Sequence, residues 1–231
     1  MFERSPELYD GFYDAAGKDY AAEAAAVLAL LPPGSRTLLD VACGTGRHIE
    51  HLSASLECTG VDLDEGLLAV ARARCPDVCF VTADMVDLAL RERFDAVTCL
   101  FSSIGYVGTT ARLHAAIASM AAHLRPGGVL VVEPWFPPEA WLLPYSHVLV
   151  VEEPDRKAVR VSTSGRRDDL ALLDFHYLVA TADGIEHRTE HHELALFTDE
   201  QYRTAFEAAG LRTELSRPGP TGRGLWVTTP G

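Results

Sequence analysis

The stretch from Leu38 to Gly46, LLDVACGTG, constrains this chain more than any other. A short apolar run ends at Asp40, passes through three small residues and reaches Gly44-Thr45-Gly46, after which Arg47 to Ser55 can form a helix. That order reads as strand, tight turn, helix. Glycines at such a turn accept positive φ and let the backbone approach a ligand with no side chain between. The glycine pair by itself is also consistent with a bare loop.

The context of the turn repeats the pattern. Cys58-Thr59-Gly60-Val61 ends in Asp62 and precedes a helical Glu65 to Arg74; Cys79 to Thr82 ends near Asp84. Phe94 to Leu100 and Val129 to Val132 make two more strands, separated by a helical Ala111 to Leu124 and a Pro126-Gly127-Gly128 turn. Apolar strands alternating with helices predict a parallel sheet covered on both faces. Such sheets bind ligands at the carboxyl ends of their strands. Polar residues gather there: Asp40, Asp62, Asp84, Ser102-Ser103 and Glu133. One such aspartate ordinarily caps a helix; five polar strand ends on one rim suggest a site.

Flanking segments differ in character. Tyr20 to Leu31 is helix-forming and stops at Pro32-Pro33-Gly34. Before it, Tyr9 and Tyr13, with Phe2 and Phe12, read either as packing anchors or as the inner surface of a lid. From Pro134 onward, Leu149-Val150-Val151, Val159-Arg160-Val161, Leu170 to Val179 and His191 to Leu196 read as short antiparallel strands. Asp199 to Gly210 is then a helix and Gly224 to Val227 a last strand. The expected organisation is a single domain, 1–231: lid and helix over 1–36, an α/β core over 37–133, an antiparallel insertion over 134–195, and a closing helix and strand over 196–231.

Composition narrows the partners. A net charge of −13 argues against nucleic acid, whose binding is driven by Lys and Arg neutralising phosphates. No apolar run is long enough to span a membrane and the N-terminus lacks a basic-then-apolar leader, so a soluble, cytoplasmic protein without membrane contact is expected. Five scattered cysteines suggest a reduced compartment. Cys75 and Cys79 lack a second ligand pair, so they read as core thiols and no metal is expected.

With DVACGTG, Asp62 and Asp84-Met85 in this strand order, the chain resembles class I S-adenosylmethionine-dependent methyltransferases. GKDYAAEA at 17–24, FDAVTCLFSSIGYV at 94–107, VVEPWF at 131–136, HYLVA at 176–180, LFT at 196–198 and PGPTGRGL at 218–225 are similar to the nucleotide-sugar N,N-dimethyltransferases that make desosamine and mycaminose. The resemblance spans nearly the whole chain. Two departures stand out: Asp62 replaces a usual Glu, and EPWFPPE replaces EPWWFPE. The implied fold is an α/β, Rossmann-like class I methyltransferase sheet with an inserted antiparallel β segment. The implied cofactor is S-adenosyl-L-methionine, and the implied substrate a dTDP-linked deoxyamino sugar methylated on nitrogen. A dinucleotide oxidoreductase would place a third glycine where Ile49 stands. An alternative small-molecule amine or hydroxyl acceptor, a cofactor-binding regulatory module without turnover, and a homodimer all remain open at this point.

The resemblance distributes roles. Gly44, Thr45 and Gly46 leave room for the methionine part of the cofactor, Asp62 accepts from the ribose hydroxyls, and Asp84 and Met85 meet adenine; Tyr9, Tyr20, Ala42, Leu63 and Leu100 are further cofactor contacts. Methyl transfer from a sulfonium requires an in-line neutral nucleophile, so positioning supplies much of the rate, and an ammonium must first lose a proton. Tyr106, after FSSIG, is the first candidate to orient the amine or pass that proton, and His176 the second. A diphosphate calls for cations: Arg223 foremost, then Arg160 and Arg166. Trp135 and Phe136 are candidates for an apolar wall against sugar or base.

Overall fold

In the computed structural model, residues 6–142 and 145–229 are described, so Phe2 lies outside them. A central sheet has seven strands in the order β10-β11-β5-β4-β1-β2-β3. Its parallel part is β1 (Thr37–Val41), β2 (Glu57–Asp62), β3 (Cys79–Thr82), β4 (Phe94–Cys99) and β5 (Leu124–Val132). β11 (Leu225–Thr228) runs antiparallel to β5, and β10 (Thr213–Ser216) antiparallel to β11. Strand order reverses beside β1, which opens a crevice at the carboxyl ends where a ligand is bound in folds of this kind.

Each face of the sheet has its own apolar core. On one, Ala24 and Val27 of α2 (Tyr20–Leu30), Ile49 and Leu52 of α3 (Arg47–Leu52), and Leu68 and Ala71 of α4 (Glu65–Arg74) pack around Leu38 and Ala96. On the other, Leu113 and Ile117 of α5 (Thr110–Ala122) join Tyr202 and Phe206 of α6 (Asp199–Ala208) against Val97 and Leu130. Local chemistry fixes the helix starts. Asp19 caps α2 through the Ala22 amide at 2.9 Å, Asp64 caps α4, and Thr198 with Gln201 forms a capping box on α6.

Between β5 and α6 the chain builds a four-stranded antiparallel meander: β6 (Tyr145–Glu152), β7 (Lys157–Arg167), β8 (Leu170–Thr181) and β9 (Gly184–Ala195). These strands are longer than the apolar runs that announced them, because their polar outward residues continue the ladder. The inner face carries Ala158, Phe175, Tyr177 and Val179, against which α1 (Pro6–Ala15) lays Leu8 and Phe12. On the outer face Val148, Val150, Val161 and Leu178 are exposed. The N-terminal segment, read from the sequence either as packing anchors or as the inner surface of a lid, is over its described part a helix seated on the insertion. Cys79 corrects one expectation: it is exposed, while Cys75 is buried. Alternation along β3 turns Cys79 and Phe80 to opposite faces, and Phe80 takes the core.

Candidate active site

A cavity of about 990 Å³ occupies the crevice. Its floor is the turn after β1, with Ala42 and Gly44; Asp62 ends β2 and Leu63 follows it, and Asp84 and Met85 follow β3. Phe101, Ser103 and Tyr106 come from the segment after β4, and Trp135 from that after β5. Tyr9 and Tyr13 of α1 and Phe175 and Leu194 of the insertion cover it, and Thr221 and Arg223 close one side. Ala42, Phe101 and Ser102 hold φ of 58°, 53° and 60°, conformations non-glycine residues adopt only when the surroundings enforce them.

At one end of the cavity the Asp62 carboxylate is anchored by backbone amides, one oxygen accepting from Gly44 at 2.8 Å and the other from Asp64 at 2.9 Å. Burial pushes its pKa up, against the pull of those amides. A carboxylate held by backbone amides retains acceptor capacity that a ligand hydroxyl can use. Asp84 accepts from Arg112 at 2.8 Å, and Met85 and Leu63 add apolar surface beside it.

An adjoining recess of about 30 Å³ is lined by Tyr20, Asp40, Thr45, Leu100 and the same Tyr9, Ala42 and Gly44. The Tyr20 hydroxyl and the Asp40 Oδ2 are buried without a partner among the described residues. Orphaned polar atoms of this kind call for a polar ligand group, and burial raises the Asp40 pKa to about 6. The recess therefore offers its unpartnered polar atoms to a small polar ligand group reaching in from the main cavity. Gly46 does not line either space. At φ 76°, a Cβ there would stand 3.2 Å from that of Ala71, so this glycine lets α3 pack on α4. Thr45 ties the turn to α1 through Asp10 at 2.6 Å.

The opposite end is aromatic and charged. Tyr106 reaches His192 Nδ1 at 3.1 Å, and burial raises its pKa well above that of an ordinary phenol. Arg223 donates through Nε at 3.1 Å and Nη2 at 2.7 Å to Oε1 of Glu133, a carboxylate 1% exposed that also accepts from the Phe101 amide at 2.7 Å and from the Thr221 hydroxyl. The guanidinium lies 5.5 Å from the Trp135 ring. Phe136 does not line the cavity but packs edge-on against Trp135 at 4.9 Å.

Three sequence candidates are placed elsewhere. His176 stands on the exposed outer face of β8, stacked on His187, because strand alternation turns it away from the inward Phe175 and Tyr177. Arg160 is buried behind the lining, its guanidinium 4.6 Å from the Phe175 ring and 5.5 Å from that of Tyr13. Arg166 is spent on the carbonyls of Pro138 and Asp168 at 2.9 and 2.8 Å. Conversely, sequence reasoning missed Lys18, Phe101 and Arg112, which line the cavity with Tyr13, a residue the lid reading had named. Lys18 is gripped by Glu23 at 2.6 Å and lies 3.9 Å over the Phe101 ring, with its pKa lowered by burial. Its place in GKDY, one residue before a helix cap, was the only available signal. Among the described residues no group of three His, Cys, Asp or Glu is arranged to hold a metal, and no helix is long and apolar enough to cross a membrane.

A family model described as a methyltransferase domain matches residues 38–128. A dTDP-3-amino-3,6-dideoxy-alpha-D-glucopyranose N,N-dimethyltransferase of Streptomyces fradiae is 47% identical over 97% of this chain and 90% of its own length. A dTDP-3-amino-3,4,6-trideoxy-alpha-D-glucopyranose N,N-dimethyltransferase of Streptomyces venezuelae is 44% identical, covering 97% of both chains. The crystal structure of Streptomyces venezuelae DesVI superposes with a TM-score of 0.93 at 44% identity, over 97% of this chain and 98% of that one. S-adenosylmethionine-bound CalS10, an amino pentose methyltransferase from Micromonospora echinaspora, superposes with a TM-score of 0.88 at 40% identity, over 97% of each.

Proposed function

The chain belongs to the S-adenosylmethionine-dependent methyltransferase family that includes the dTDP-amino-sugar N,N-dimethyltransferases, and from that membership we propose that it methylates, twice in succession, the amine of a dTDP-linked deoxyamino sugar. The observation that carries this reading is one continuous cavity with the Asp62 cradle at one end and the Tyr106 hydroxyl at the other. When bound, S-adenosylmethionine supplies a methyl on a sulfonium, a leaving group that needs no further activation.

The remaining work falls to the protein. Asp62 holds the ribose through charge-assisted bonds. Tyr106, kept as a phenol by burial, receives the amine by hydrogen bond and aligns its lone pair. Tyr9, Tyr13 and Phe175 roof the cavity, which strengthens these interactions by excluding water. Glu133 uses Nε and Nη2 of Arg223, so Nη1 is left for a phosphate oxygen. A test on that residue must respect its partner. Arg223→Ala strands a buried carboxylate and is expected to cost about 3–5 kcal/mol of stability, whereas Arg223→Lys keeps the charge and is expected to raise the KM for nucleotide sugar while sparing the fold. A kinetic series checks this, with thermal unfolding alongside.

Incubation with S-adenosylmethionine and a dTDP-3-amino-3,6-dideoxyhexose, followed by mass spectrometry, is expected to give mono- and then dimethylated nucleotide sugar. Equal turnover of the free amino sugar would remove the nucleotide from the reading. We place the reaction in the cytoplasm and assign the exposed apolar outer face of the insertion to a homodimer contact.

A further inference from the structure

Tyr106 cannot by itself take a proton from an ammonium, because its own phenolic proton must go somewhere. Behind it stands a buried chain of polar groups. His192 Nδ1 is 3.1 Å from the Tyr106 hydroxyl, and His192 Nε2 is 3.5 Å from Oε2 of Glu190. That same oxygen accepts from the Tyr177 hydroxyl at 2.8 Å. The side chains of His192 and Glu190 are 0% and 3% exposed. Residues 190 and 192 alternate onto the same inward face of β9, which is why both reach this spot. The Phe175 ring, 4.8 Å from the imidazole, keeps water from it. With Nε2–H facing the Glu190 carboxylate across 3.5 Å, an ion-pair separation and not a hydrogen bond, Nδ1 is left to accept from Tyr106.

Resting on the function proposed above, we propose that His192 is the proton acceptor behind Tyr106, a positioning residue that lets the phenol relay the proton of the substrate ammonium, with Glu190 stabilising the imidazolium formed. The balance is closed. The ammonium gives one proton to the Tyr106 oxygen as the phenolic proton passes to His192 Nδ1, and the nitrogen, now neutral, can form its bond to the methyl carbon as the sulfur–carbon bond breaks. The imidazolium returns its proton through Tyr106 to water once product leaves, and the relay is reset for the second methylation. The other titratable and charged groups around it are Tyr177 of β8, Arg160 of β7 and Tyr13 of α1.

The test compares wild type, His192→Asn, Glu190→Gln and Tyr106→Phe by kcat and KM across pH 6 to pH 9.5 with a dTDP-aminosugar, and by calorimetric cofactor binding. Asn can hydrogen-bond Tyr106 but cannot carry the proton. For His192→Asn, kcat is expected to fall about 10- to 100-fold near neutral pH and to recover as alkali deprotonates the ammonium, with KM and cofactor affinity unchanged. Tyr106→Phe should show the same profile, and the double variant no further loss. A wild-type rate and pH profile in His192→Asn overturns the relay, as does a loss that is flat with pH. Should His192→Asn fail to bind cofactor, Glu190→Gln decides: an unchanged acid limb overturns the proposal. Absence of wild-type turnover would instead overturn the substrate assignment, so the two failures are distinct.

Discussion

Asp62 closes β2 and Asp40 stands one residue before the end of the neighbouring β1, and they answer to opposite demands. On the proposed role of Asp62 at the cofactor ribose, Asp62→Asn is expected to weaken S-adenosylmethionine binding about 10- to 100-fold, the worth of a hydrogen bond to a charged group, as calorimetry would register. Asp40 is 1% exposed with an orphan oxygen. Its folded pKa of about 6 stands above the unfolded value, so the native state binds the proton more tightly. The group's contribution to stability is thus fully present below about pH 4 and lost as pH rises through 6, amounting to about 3 kcal/mol. Asp40→Asn should therefore flatten the stability profile between pH 4 and pH 6 and raise the melting temperature at pH 8, while weakening cofactor affinity. Urea titrations at three pH values check the sign. These two residues were legible because a polar residue closing an apolar run has one place to go in a parallel sheet. His192 was not: nothing in the run His191-His192-Glu193 says which neighbour faces inward until the register of β9 against β8 is fixed.

Among the elements, β2 shows how tightly the frame around the site is packed. A Cβ on Gly60 would stand 2.5 Å from the Phe80 ring and 2.8 Å from Ile49 Cδ1. Gly60→Ala is expected to destabilise the fold by about 1–3 kcal/mol through overpacking, read by thermal unfolding, and to displace Asp62 two residues on, with a loss of cofactor affinity. The parallel strands and α4 were legible because apolar runs and caps are local signals. Two elements were not. α1 carries Gly11, a poor helix former, and gains its stability from Leu8 and Phe12 packing on the insertion. Ser103–Val107, a 3-10 turn that presents Tyr106, follows two residues at positive φ that no propensity favours. The insertion itself was visible only as fragments, since its outward positions are polar.

The molecule as a whole joins a sheet whose strand ends floor the cavity to a second sheet that contributes Phe175 and Leu194 to its lining. The exposed Val148, Val150, Val161 and Leu178 lie together on the outer face of that second sheet. Sedimentation is expected to find a dimer, and Val148→Glu combined with Leu178→Glu a monomer; a wild-type monomer would remove the homodimer. Neither the apolar outer face nor the cover over the cavity could be read from composition, because both depend on which faces remain after the core has formed. One more consequence follows from how Glu133 is satisfied. Its partners Thr221 and Arg223 lie nearly ninety positions later in the sequence. During translation the cofactor-binding strands have left the ribosome long before the wall that completes the well. A nascent polypeptide stalled before Thr221 is expected to transfer no methyl group, so each newly made molecule stays silent until its final hairpin is threaded into place.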